Sequence, residues 1–127
     1  MEFSKGNEKI GKDTIIFNMS PAYKCESDRL GLCNLGEKCY AKKAERQYHH
    51  CVPKYRERQM KDWETEGVTK IYQDICKKVK NARIHKIKYI RFNESGDFKR
   101  QEDLEKLKII CEMLQENNLT KDLIIYG

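Results

Sequence analysis

The stretch from Cys25 to Cys51, CESDRLGLCNLGEKCYAKKAERQYHHC, constrains this chain more than any other: it holds four of the six cysteines and two of the three histidines. Cys25, Cys33 and Cys39 follow one another as C-x7-C-x5-C through a segment of Gly, Asn, Ser and charged residues that is too polar to pack by itself. Such a loop needs something to hold it. Several thiolates converging on one centre would replace the missing apolar core with coordination bonds, so the pattern predicts a metal or iron–sulfur site.

The chain has 127 residues, enough for one domain and short of the ~250 that a closed eight-unit α/β barrel needs. No run approaches the ~20 apolar residues of a membrane span, and MEFSKGNEKIGK lacks the apolar centre of a signal peptide. The expectation is a cytoplasmic protein, in whose reducing surroundings six cysteines favour metal binding or burial over disulfides. Its formal charge of +6 is uneven, since residues 37–61 carry eight Lys or Arg against three Glu. Lys42, Lys43, Arg46, Lys54, Arg56 and Arg58 are therefore candidate nucleic-acid contacts, although a solvated helix face has the same composition.

Residues 1–12 are polar and expected to be flexible, leaving 13–127 as a single domain. Thr14 to Phe17 gathers β-branched and aromatic residues and reads as a first, buried strand ended by Asn18, Ser20 and Pro21. Helices are expected over Glu37 to Tyr48 and from Pro53 toward Glu66. From Val68, the residues Val68, Ile71, Tyr72, Ile75, Cys76 and Val79 recur with helical spacing, which makes Cys76 a core residue. Lys86 to Phe92 is the second strand, NESGDF a polar turn, Gln101 to Glu116 a helix with Cys111 on its apolar face, and Leu123 to Tyr126 the last strand. Alternating units of this kind predict three parallel strands with right-handed crossovers and a site at their C-terminal ends. A sheet of that kind has raw edges, where a second copy or a completing chain would pair.

Three thiolates with one open position suit a [4Fe–4S] cluster. Four suit structural zinc, with Cys51 as the candidate fourth ligand beside His49 and His50. His85 reads as a turn residue. In NESGDF, Glu94, Ser95 and Asp97 surround Gly96 at a strand end, where they can accept from a ribose diol or an amino group or simply form an Asx-type turn. Hydrolase-elbow, P-loop and dinucleotide-binding glycine signatures do not occur.

Together FNMSP, CNLGEKCYAKKAE and IRFNESGDF resemble the phage and archaeal gene product 88 family, whose members look like radical S-adenosylmethionine enzymes. The likeness spans about residues 15–98 and is most specific in the pairing of Cys-Tyr-Ala with Ser-Gly-Asp-Phe. It implies a partial, half β/α barrel of about three parallel strands with flanking helices. It also implies a [4Fe–4S] cluster on Cys25, Cys33 and Cys39, and S-adenosylmethionine held near Tyr40, Glu94, Ser95, Gly96 and Asp97. The usual spacing in such enzymes is C-x3-C-x2-C with an aromatic before the last cysteine; here the loops are longer, Lys38 precedes Cys39 and Tyr40 follows it. The rival expectation is a zinc-stapled, non-enzymatic module that holds nucleic acid through its basic residues.

Overall fold

A computed structural model describes residues 1–127. Four strands, β1 (Ser4–Lys5), β2 (Thr14–Phe17), β3 (Tyr89–Phe92) and β4 (Ile124–Tyr126), form one sheet in the order β1-β2-β3-β4. Five helices accompany them: α1 (Glu26–Arg29), α2 (Tyr40–Gln47), α3 (Val52–Thr65), α4 (Val68–Lys80) and α5 (Gln101–Glu116). No helix is long and apolar enough to cross a membrane.

The three expected strands are parallel neighbours, with Ile15 opposite Ile90 and Ile90 opposite Ile125. The expected half barrel is not present. β1 pairs antiparallel with β2, Ser4 opposite Ile16, so the side of β2 where a parallel barrel would continue is already taken. The physical cause lies in the N-terminal segment. Its two paired residues carry no β pattern of their own, but the bare edge of a fully buried strand accepts any backbone that reaches it. The result is an open mixed α/β sheet whose outer strand, β4, leaves Ile124 and Tyr126 exposed.

Side chains alternate across the sheet, so Ile15 and Phe17 of β2 share a face with Ile90 and Phe92 of β3. Against that face pack Trp63 of α3, Ile71, Ile75 and Val79 of α4, and Ile110 and Leu114 of α5. Phe17 sits at the middle, its ring 5.5 Å from Trp63 and 5.6 Å from Phe92. The helical stripe read from Val68 to Val79 is the buried face of α4, and Cys76 packs at its margin. Pro53 lies in the first turn of α3, where its missing N–H costs nothing, and Gly67 precedes α4.

α3 buries a polar stripe that the charge count hides. Arg56, Gln59 and Trp63 recur at i, i+3 and i+7, and all three are buried. Gln59 Nε2 donates to the carbonyls of Glu2 and Ile16, and its Oε1 accepts from Asn18 Nδ2 at 2.9 Å, so α3 is hydrogen-bonded to the strand it covers.

Candidate functional site

The parallel strands end on polar residues, and those ends are stitched together. Asn93 N donates to Phe17 O at 3.0 Å, and Met19 N donates to Ser95 O at 3.1 Å, which brings residues 18–20 after β2 against residues 93–97 after β3. Two left-handed residues shape the second turn, Asn93 with φ 61° and Gly96 with φ 82°. Gly96 is also packed against the first turn, since a Cβ there would lie 2.4 Å from Ser20 N. Only glycine satisfies both conditions at once.

Five buried side-chain polar atoms in the protein lack a hydrogen-bond partner, and four of them sit at this rim: Asn18 Oδ1, Ser20 Oγ, Asn93 Oδ1 and Ser95 Oγ. Two are amide oxygens that can only accept, and two are hydroxyls. The small recess nearby, between Met19, Trp63, Asp97 and Asp103, has about 10 Å³ of free space, no more than a water needs.

The cysteine loop lies over this rim. Ser27 Oγ donates to the Asp97 carboxylate, whose other oxygen accepts from Phe98 N at 2.8 Å. Tyr40 OH donates to the Glu94 carbonyl and accepts from Arg91 Nη2 at 3.4 Å. Partial burial raises the Tyr40 phenol above its ordinary range, against the pull of Arg91. Tyr40 and Ser27 thus join the cysteine loop to the turn containing Glu94, Ser95, Gly96 and Asp97.

The loop does not form the expected metal centre. Cys25, Cys33 and Cys39 are free and half-buried, Cys51 is exposed, and no three cysteine, histidine, aspartate or glutamate side chains in the protein gather into a metal-holding group. The reason is that the segment packs without one. Cys25 precedes α1, Cys39 precedes α2 and Cys51 precedes α3. Backbone turns close between them, with Cys33 N donating to Ser27 O and Cys39 N to Gly36 O. Lys42 pairs with Asp28 at 2.8 Å and Arg46 with Glu37 at 2.6 Å. The premise that so polar a loop needs a metal to hold it is corrected by these turns and ion pairs. His49 and His50 lie exposed, their rings 3.7 Å apart, and the Cys51 thiol points back to Tyr48 O.

The basic residues flagged in the sequence are largely engaged. Arg56 is 4% exposed, donating to Glu45 at 2.8 Å and to Ala41 O at 3.2 Å. Glu45 also accepts from Ala22 N at 2.7 Å, so this buried pair fixes the start of the cysteine loop. Arg58 pairs with Glu2 at 3.3 Å. Lys43 and Lys54 remain as exposed cations.

A family model for gene product 88 matches residues 1–123. No curated protein and no solved structure matches the chain.

Proposed function

The chain belongs to the gene product 88 family, and for this member we propose a ligand-binding role at the C-terminal rim of β2 and β3, with S-adenosylmethionine as the ligand. The observation that carries this reading is the group of four unpartnered polar atoms, Asn18 Oδ1, Ser20 Oγ, Asn93 Oδ1 and Ser95 Oγ. Leaving a buried donor or acceptor unsatisfied costs about 1–3 kcal/mol each, a heavy charge on a fold whose net stability is ~5–15 kcal/mol. A ligand that supplies N–H and O–H groups would recover that cost. S-adenosylmethionine carries an ammonium, a ribose diol and an adenine amine, and Glu94 and Asp97 add carboxylates suited to the ammonium. Entry requires the Tyr40 and Ser27 hydrogen bonds to open, which makes the cysteine loop a cover over the site.

The likeness to radical S-adenosylmethionine enzymes would add a [4Fe–4S] cluster on Cys25, Cys33 and Cys39. The loop as folded does not fit that group, because its thiols do not gather with one another or with other ligating side chains. The zinc-stapled nucleic-acid module has less support, since Arg56 is buried and Lys42, Arg46 and Arg58 are paired with carboxylates.

Equilibrium dialysis against labelled S-adenosylmethionine under anaerobic conditions tests the proposal. The wild-type chain is expected to bind it, and Ser95→Ala to weaken binding about tenfold, the equivalent of one lost hydrogen bond of ~1.4 kcal/mol. Absence of binding by the wild type, or equal binding by Ser95→Ala, overturns it.

A further inference from the structure

A cavity of about 970 Å³ opens at the opposite end of the sheet, beside the N-terminal ends of β2 and β3. Three separate parts of the chain supply its unpaired cations: Lys5 and Lys12 flank the entry to β2, Lys77 and Lys78 lie in the last turns of α4, and Arg83 precedes β3 with His85 beside it. Only two carboxylates line the cavity, and both are already paired, each with a cation that also lines it. Glu2 pairs with Arg58 at 3.3 Å, while Asp74 pairs with Lys70 and with the Met1 amino group at 2.6 Å. Lys5, Lys12, Lys77, Lys78 and Arg83 form no ion pair with any carboxylate, so one cleft concentrates an excess comparable with the whole chain's formal +6.

Lysines at the end of a helix have an ordinary explanation, the favourable field of the helix C-terminus, worth about 0.3–1 kcal/mol apiece. That accounts for Lys77 and Lys78. It does not account for Lys5, Lys12 and Arg83, which come from other segments and converge on the same concavity. Like charges gathered this way repel one another unless an anion spans them. At the cleft mouth Ile84 is 89% exposed between Arg83 and His85, an apolar surface set among cations.

We propose that this cleft binds nucleic acid through the phosphodiester backbone. Cations spread over several segments match a chain of repeated phosphates better than a single anion, and a concave site keeps them from meeting a flat bilayer together. Ile84 then offers cover to a sugar or base beside the phosphates. The site lies at the other pole from the rim of β2 and β3 and does not depend on what binds there.

The test is fluorescence anisotropy of the full chain with short labelled single-stranded and duplex oligonucleotides, titrated between about 50 and 200 mM salt. Phosphate contacts release counterions, so affinity is expected to fall steeply with salt. Lys12→Gln/Lys77→Gln/Arg83→Gln removes three exposed cations and is expected to weaken binding at least tenfold. It should also flatten the log–log salt slope by about 2–3, at ~0.7–0.9 per contact. Lys43→Gln/Lys54→Gln, on the face that charge density alone picks out, is expected to bind like wild type. Circular dichroism melting of both variants confirms that they fold. Four outcomes would overturn the proposal: wild type binding neither oligonucleotide, the cleft variant binding unchanged, the control losing as much as the cleft variant, or phosphatidylserine vesicles binding where oligonucleotides do not.

Discussion

At the scale of single residues, the rim depends on positions whose roles a sequence does not announce. Asn18 and Ser20 read as strand terminators and Asn93 as part of a polar turn, but each also presents a buried polar atom without a partner. Gly96 was legible as a turn glycine; its packing against Ser20 was not, because that contact joins segments more than seventy positions apart. Gly96→Ala puts a methyl group at positive φ and 2.4 Å from Ser20 N. Strain of this kind is worth about 1–3 kcal/mol. Urea denaturation is expected to show a loss of that size, and S-adenosylmethionine binding should fall with it because the two turns are forced apart. A variant as stable as wild type would mean that residues 18–20 and 93–97 are not held together as described. Arg56 teaches the converse. A basic side chain in a basic segment reads as solvated surface, yet its spacing with Gln59 and Trp63 was a helical burial signal that charge counting overrode.

Among the elements, those with strong local patterns came through the sequence well. β2 spans the expected Thr14–Phe17, and the apolar stripe of α4 is the face it buries. β1 did not, since Ser4–Lys5 is a strand only by virtue of the edge it meets, and that edge changes a half barrel into a mixed sheet. The start of α5 shows how one element is fixed to another. The Asp103 carboxylate accepts from Lys99 N at 3.0 Å and Arg100 N at 3.1 Å, capping the helix, and from Trp63 Nε1 at 2.9 Å, tying it to α3. Burial alone would raise its pKa, but these three donors hold it below the ordinary aspartate value. Because the folded pKa is depressed, the stabilisation is complete above the unfolded pKa of ~3.9 and is lost as the pH falls through the folded value beneath it. Asp103→Ala is expected to cost about 1.5–3 kcal/mol at neutral pH, as for hydrogen bonds to a charged group. The gap from wild type should narrow below about pH 4 in a series of urea melts. A gap independent of pH would assign the loss to packing rather than to the carboxylate.

Taken as a whole, the molecule has two chemically different poles on one sheet. The C-terminal ends of the parallel strands carry neutral, unpartnered polar atoms under the cysteine loop, and the N-terminal ends carry unpaired cations around an open cleft. The parallel strand order was legible and pointed to the first pole. The second was not, because its cations come from residues 5, 12, 77, 78 and 83, and no window along the chain contains them together. The local charge excess at residues 37–61 drew attention instead, although the fold pairs four of its cations with carboxylates. The cysteine spacing resembles a ligand set, but no three ligating side chains gather in the structure, and Cys25, Cys39 and Cys51 each precede a separate helix. The central claim is that the covered rim is a binding site, and amide hydrogen exchange with and without S-adenosylmethionine tests it most directly. The account predicts slower exchange on ligand addition at residues 18–20 and 93–97, with a change in the loop at Tyr40 where the cover must move. Unchanged exchange at the rim, or protection confined to the basic cleft, would contradict it.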